Sequence, residues 1–438
     1  LNIYTKDSIS IIKGIVDVDA TGNSVDELYG SLNVKNLYYQ NNKDFYFFDD
    51  FNLESSFDEN RERTITVESP DIISGKVVGK FKFNQLQKLL ENAVGSLYAN
   101  YSPNKLLPNQ YMNFDFTIYN KVIGALFPNV EVGENTRLKG KIISDEELFT
   151  LDFNSPSVAI DDNKFSGITI DIDNKNPLYN AYIALDSLNT KYYDISDFNL
   201  INITQNDTLF FRTEFKGGKN NEDSYDLNLY HTINPDKNSV VGFKKSEVNF
   251  KNSLWFINEV EDFKNKIIFD KKLENFEFDK LLFSNKDESF SLEGLIKGNN
   301  FKDIQLNFNN VDLDKVTPAL SNLTFAGRIN GLIDFKQNND VYKPISDLRI
   351  ETLKINDFEV GDLKLQLSSD EFLRKFNVNS SIIRDGFESF YTRGNIEIIN
   401  GETFLSLDTK FEDFDIKPLG PLLSSIFSDM RGKATGRA

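Results

Sequence analysis

Apolar and polar residues alternate along much of this chain. Ile168-Thr169-Ile170-Asp171-Ile172, Ile304-Gln305-Leu306-Asn307-Phe308 and Leu363-Lys364-Leu365-Gln366-Leu367 place apolar residues two apart with polar ones between them. Leu348-Arg349-Ile350, Ile396-Glu397-Ile398 and Leu405-Ser406-Leu407 keep the same period. Period two predicts strands, because successive side chains of a strand point to opposite faces. Each strand then has one apolar and one polar side, whereas parallel strands buried on both sides read as continuous apolar runs. Turn residues follow at short intervals, at Asn41-Asn42-Lys43-Asp44, Lys297-Gly298-Asn299-Asn300, Asn338-Asn339-Asp340 and Ile399-Asn400-Gly401-Glu402. Such spacing predicts a long antiparallel meander, and no strand–helix alternation of a doubly wound sheet is present.

Helical patterning is a minor component and it recurs. Four times a strand-like segment meets an apolar residue, a residue placed as a helix cap, and a spaced apolar trio. The copies are Phe83-Asn84-Gln85-Leu86 with Leu89-Leu90, Tyr119-Asn120-Lys121-Val122 with Ala125-Leu126, Leu313-Asp314-Lys315-Val316 with Ala319-Leu320, and Ile416-Lys417-Pro418-Leu419 with Leu422-Leu423. The last two align further, from Val311 through Gly331 and from Phe414 through Gly436. The strongest helix follows Asn84, where Leu86, Leu89, Leu90, Ala93, Val94 and Leu97 share one face. Asn84 is placed to cap it, Gln87 to complete a capping box, and Pro418 to open the fourth copy. Three Gly-basic-x-x-Gly segments accompany the turns: Gly75 to Gly79, Gly327 to Gly331 and Gly432 to Gly436. Glycines four apart lie on one strand face and predict a bend or a close backbone approach. Repeated units of this kind bury their apolar faces only by stacking. The uneven spacing of the copies makes the array irregular. Residues 1–438 read as one continuous repeat-built sheet, with a long loop or local boundary in the polar stretch 216–245.

Composition narrows the function classes. The chain has 39 Phe, 17 Tyr, one Trp and 11 Pro, a supply weighted toward strand formers. Its net charge of −18 argues against a nucleic-acid surface, which needs a basic patch. Cysteine is absent, so disulfides and thiolate metal sites are excluded. The single histidine, His231, leaves no material for a catalytic triad or histidine metal cluster and reads as structural. Asp171-Ile172-Asp173-Asn174 lacks the glycine and distal glutamate of a calcium loop and reads as a solvated face. The expectation is therefore no catalytic residue, no metal, no cofactor and no enzyme activity. The aromatic run Phe45-Tyr46-Phe47-Phe48 is followed by Asp49 and Asp50 rather than basic residues, and reads as a sheet edge or turn core. No apolar run approaches the ~20 residues of a membrane helix. Both termini have the look of cuts, so the expectation is a piece of a longer protein.

A one-sided sheet needs a cover for its apolar face. Two sheets can pack together, or one sheet can curl so that the face lines a groove for acyl chains. Such binding is non-directional, at about 0.8 kcal/mol per buried CH₂, and needs no catalytic group. The groove candidates are Ile168, Ile170 and Ile172; Ile304, Leu306 and Phe308; Leu348 and Ile350; Leu363, Leu365 and Leu367; Ile396 and Ile398; and Leu405 and Leu407.

Ile345-Ser346-Asp347-Leu348-Arg349-Ile350-Glu351-Thr352-Leu353-Lys354-Ile355 and Phe358-Glu359-Val360-Gly361-Asp362-Leu363-Lys364-Leu365 resemble the repeats of the TamB family. So does the closing stretch from Phe414-Asp415-Ile416-Lys417-Pro418-Leu419 to Gly432-Lys433-Ala434-Thr435-Gly436. The region from Thr208-Leu209-Phe210-Phe211 to His231-Thr232-Ile233-Asn234 is similar to TamB-type proteins of Bacteroidota. The resemblance covers most of the chain, most firmly from about residue 180 onward. It implies an AsmA-like, bridge-like lipid-transfer protein of the periplasm that supports outer-membrane biogenesis and protein assembly. The implied fold is all-β: an elongated, mostly antiparallel curled sheet, a β-taco or half-pipe, with a few short helices. Phospholipid is the implied cargo, and an outer-membrane barrel of the TamA/BamA class the implied partner. An inner-membrane anchor precedes the sheet in that family, so this sequence is expected to be an internal fragment. Two other readings stay open on the residues alone. One is a structural or adhesive β-solenoid or β-sandwich of the cell envelope, its apolar faces packed together. The other, an outer-membrane barrel, is disfavoured by the helix after Asn84 and by the absence of a lipid-facing band.

Overall fold

The computed structural model of the chain describes residues 11–438 apart from 41–44, 98–101, 120–128, 177, 192, 206–207, 219, 263, 318–322, 340, 357, 370–374, 400–401 and 421–429. The fold is all-β, and the strand pairings among the described residues are antiparallel. The turn at 41–44, the second helical copy from Asn120 to Leu126, and the apolar pairs Ala319-Leu320 and Leu422-Leu423 lie outside the described residues. Two compact units divide the chain, Leu1–Ser224 and Tyr225–Ala438. The stretch 216–245 carries the strands Thr208–Gly217, Asp223–Ile233 and Ser239–Phe243.

In the first unit Ile11–Thr21 pairs with Tyr29–Gln40, which also pairs with Phe45–Phe48 and Phe51–Phe57. The ladder continues through Arg63–Glu68, Ile73–Lys80, Tyr111–Ile118, Thr136–Ile143, Leu148–Ile160 and Asn163–Asp173. It then passes through Ala181–Asn189 and Asp194–Gln205 to Thr208–Gly217. Register turns the alternation of each strand into a face. Val77, Phe114, Gly140, Leu151, Ile172 and Ala181 form one cross-strand row. Lys76, Asp115, Lys139, Asp152 and Asp171 form the neighbouring row on the other side.

The helix α1 (Leu86–Gly95) lies on the apolar side. Leu89 and Ala93 pack on Met112, Ile142 and Phe149 in a buried cluster flanked by Val77, Leu151 and Ile172. Burying a leucine completely contributes about 1.5–3 kcal/mol. Its start corrects the sequence expectation. Asn84 sits inside a 3-10 turn, Phe83–Gln85, and Gln85 precedes α1 without a side-chain cap. Gln87 bonds Glu91 on the next turn (2.9 Å) instead of closing a capping box. Distant side chains supply the acceptors: Asp26 takes the Phe83 N–H at 2.8 Å and Gln110 that of Lys82 at 3.0 Å. Past the other end, Asn174 donates to Ser96 Oγ (2.7 Å) and Thr204 to the Leu97 carbonyl (3.1 Å).

In the second unit an unbroken meander runs from Asn275–Asn285 through Glu288–Lys297, Phe301–Asp312, Phe325–Asn338, Val341–Ile355 and Phe358–Ser369. It continues through Lys375–Arg384, Phe387–Ile399 and Glu402–Asp415 to Lys433–Arg437. Four of its strands carry a bulge residue in the left-handed region: Lys280, Asn310, Thr352 and Asp413, with φ of 38°, 55°, 49° and 51°. A shift of register brackets each one. The next residue is buried every time: Leu281, Val311, Leu353 and Phe414. An extra residue bends its strand and raises the local twist. Trp255, on Ser253–Ile257, accordingly shares a buried cluster with Val311 and Ile329. A flat ladder would hold Trp255 and Val311 three strand spacings apart, about 14 Å. The sheet therefore curls at this end with its apolar face inward.

The two best-aligned copies form one structural module. The Asn310 N–H donates to Asn330 Oδ1 (2.8 Å) and Arg328 donates to Asn310 Oδ1 (3.2 Å). In the same way the Asp413 N–H donates to Thr435 Oγ1 (3.1 Å) and Lys433 donates to Asp413 Oδ2 (2.5 Å). The basic residue of these two Gly-basic-x-x-Gly segments thus clasps the bulge on the neighbouring strand. Gly331 of the first module, at φ 129°, would place a Cβ 2.0 Å from the Asp347 carbonyl oxygen, so only glycine fits. Asp312 caps the short helix α2 (Leu313–Val316) by accepting the Asp314 N–H at 3.2 Å. Asp415 accepts the Lys417 N–H at 3.0 Å before the 3-10 turn Lys417–Leu419, where Pro418 sits near the start. The cap is therefore the aspartate ahead of the apolar residue, not Asp314 or Lys417. An aspartate accepts most readily from the N–H two residues on.

Candidate functional site

Register gathers the candidate residues of the second unit on one face. Ile304 pairs with Phe335, Leu306 with Ile333, and Phe308 with Phe290 and Gly331. Gly331 leads to Leu348, Leu348 to Leu365, and Ile350 to Leu363. Leu363 leads to Ile382 and Leu367 to Val378; Val378 leads through Gly394 to Leu407, and Ile396 pairs with Leu405. Ile398 pairs with Thr403, and its side chain lies outside the described residues. In the first unit Ile168, Ile170 and Ile172 face Ser155, Phe153 and Leu151, on the side that carries α1.

This face is partly covered and partly open. α1 covers it in the first unit. The bulges, α2 and the turn at Lys417–Leu419 close it at one end of the strands in the second, through Leu353, Ile355, Val360, Ile382 and Phe414. Away from these covers Ile304, Leu306, Leu365, Leu367, Ile396 and Leu407 are only half-buried, whereas Phe308 and Leu348 pack on the cluster of Trp255 and Val311, and Leu363 on that of Leu353. Leu405 is 65% exposed. A second sheet packed on this face would bury such positions. Ile168 is buried, while Ile170 and Ile172 are half-buried.

On the apolar side some polar groups pair locally, while Arg63 Nη2, Thr213 Oγ1 and Trp255 Nε1 are buried without a hydrogen-bond partner among the described residues. Thr136 Oγ1 and Ser155 Oγ bond each other at 2.7 Å, and Thr392 Oγ1 and Thr409 Oγ1 at 2.8 Å. Buried Arg63 lies against the rings of Phe57 and Phe83, with its guanidinium carbon 4.6 and 5.1 Å from their centroids, and donates to the Val25 carbonyl at 3.1 Å. Burial pulls its pKa down while nearby Asp26 acts to raise it. His231, opposite Val241, is half-buried, and burial lowers its pKa from the ordinary 6.5.

Three hollows have different linings. One of about 400 Å³ opens beside α1 between Leu89, Ala93, Leu106 and Ile142, with Asn92 and Ser96 at its wall. Two lie on the polar side. One of about 510 Å³ is lined by Lys76, Asp115, Lys139, Asp152 and Asp171, and one of about 540 Å³ by Asp347, Gln366, Asn379 and Arg393. Among the described residues no three His, Asp or Glu side chains are grouped to hold a metal ion. No helix among them is long and apolar enough to cross a membrane.

No family model, curated protein or solved structure matches the chain.

Proposed function

We propose that this chain is a lipid-transfer conduit, whose apolar face carries phospholipid acyl chains while the headgroups stay at the solvent side. The observation that carries the reading is the half-buried row through Leu306, Ile333, Leu367, Val378 and Leu407, which lies outside the buried clusters of this unit. Acyl chains would complete that burial, each CH₂ contributing about 0.8 kcal/mol, without requiring any fixed polar contact. The same openness weighs against the structural or adhesive sandwich, whose inner faces would be packed shut. The resemblance to TamB repeats adds a setting to this proposal: the periplasm, an inner-membrane anchor, a TamA/BamA-class barrel partner and a role in outer-membrane assembly. Replacing Leu363, Leu365 and Leu367 together with glutamate tests the proposal. Lipid extracted from the purified wild type should exceed that from the variant several-fold, whereas equal lipid in both would refute an acyl-chain face.

A further inference from the structure

The strand Phe45–Phe48 divides its aromatic residues between two sides. Tyr46 and Phe48 join Leu37, Tyr39, Phe51, Ile72 and Ile73 in a hydrophobic cluster. Phe45 and Phe47 point the other way and remain 64% and 61% exposed. Register sets Tyr38 opposite Phe47, and Lys13 opposite Tyr38. The ring centroid of Tyr38 lies 5.0 Å from that of Phe47 and 6.5 Å from that of Phe45. Phe45 and Phe47 meet edge to face at 5.9 Å and 79°. Lys13 Nζ stands 5.7 Å from the Tyr38 centroid. Exposed Ile15 and its partner Lys35 share this side. The three rings thus form an apolar projection on the side of the sheet that elsewhere carries the polar row.

We infer that Tyr38, Phe45 and Phe47, with Lys13 and Lys35, form a membrane-docking knob that seats in the interface of a phospholipid bilayer. Aromatic rings settle at the boundary between headgroups and acyl chains, with the polar tip of a tyrosine kept wet. The Tyr38 hydroxyl donates to Gln40 Oε1 at 2.7 Å. Phe47 stands at 53° to Tyr38 and 79° to Phe45, so the three rings form no flat platform for a planar ligand, and none of the three hollows is lined by them. A projection suits insertion, as a cleft suits reception. Among the described residues Lys13 and Lys35 enter no ion pair, so both charges are free to meet lipid phosphates. Asp17 and Asp19 lie further along the same side of Ile11–Thr21, and the net charge of the whole chain is −18. Both oppose a strongly anionic surface and favour a zwitterionic one. Within the first unit the knob lies on the opposite side of the sheet from Ile168, Ile170 and Ile172, and it does not depend on the role of the acyl-chain candidates.

Flotation of the purified chain with phosphatidylcholine vesicles tests the knob. The wild type should co-float. Phe45→Ser with Phe47→Ser should lower the bound fraction at least about tenfold, the scale of withdrawing two phenyl rings from an interface. Both rings are exposed, so an unchanged unfolding curve is expected and shows that the loss is local. The Leu363, Leu365, Leu367 glutamate variant should float like the wild type. Three results would overturn the inference: a wild type that stays in solution, a double serine variant that floats normally, or flotation lost only in the glutamate variant. Lipid extracted from the protein itself reads the acyl-chain proposal separately.

Discussion

α1 in the first unit and the bulge modules of the second both cover apolar sheet, but they draw on different sources. α1 has ten residues, and its inner face places Leu89 and Ala93 onto three strands. It lacks a side-chain cap, so its position depends on Asp26, Gln110, Asn174 and Thr204, all remote in sequence. α2 has four residues and cannot cover much alone. There the strand does the work, since an inserted left-handed residue bends the sheet and turns Val311 or Phe414 into the core. A local aspartate then caps the turn. One cover is a separate element laid on the sheet, and the other is the sheet folding over itself. Both leave the middle of the strands open.

The covered and open parts of the face should separate clearly under mutation. Leu89→Ala leaves a cavity under α1 and should cost about 2–5 kcal/mol in urea unfolding. A much smaller loss would mean that α1 is not a tight cover. Asp312→Ala removes the cap of α2 and should cost about 1 kcal/mol, with far-UV circular dichroism almost unchanged because so few residues are helical. Leu365→Ala, on the open part, should cost about 1 kcal/mol, less than Leu89→Ala, since its side chain keeps part of its contact with water. A loss as large as that of Leu89→Ala would show that the middle of the face is closed. The smallest effect concerns His231. Its pKa is lowered in the fold, so the unfolded chain binds the proton more readily. Its contribution is complete above pH 6.5 and is lost as the pH falls through the folded value. His231→Gln should remove that component of the pH dependence, and an unchanged profile would place the imidazole in water.

Alternation identified the apolar side of each strand well. Leu363, Leu365 and Leu367 face one way and Lys364 and Gln366 the other, as period two requires. The bulges were not legible, because nothing local distinguishes Asn310 or Asp413 from any other polar residue of a strand. Period two puts Phe308 and Val311 on opposite faces, yet the extra residue at Asn310 brings both into one cluster. The start of α1 was misread for a related reason. Asn84 has the chemistry of a cap, but the N–H groups at that end find Asp26 and Gln110, partners that only the folded sheet brings near. The glycine segments were recognised as places of a bend or close approach, and close approach is found at Gly75, Gly79, Gly327 and Gly331 but not at Gly432 or Gly436. The basic residue of the last two was not recognised as the clasp of a bulge, since Arg328 and Asn310 meet only across the ladder. In the aromatic run, Phe45 and Phe47 face solvent because a strand exposes every second residue even where all four are aromatic.

The central claim is that the open apolar face receives acyl chains, and neighbouring residues of one strand test it most directly. Leu365 and Lys364 are adjacent in sequence and point to opposite sides of the sheet. A photo-reactive side chain placed at either position reports what touches that side when the protein is irradiated in cells. The account predicts strong phospholipid adducts from position 365 and only background from 364. Equal labelling at both positions, or none at 365 in a folded protein, would contradict it.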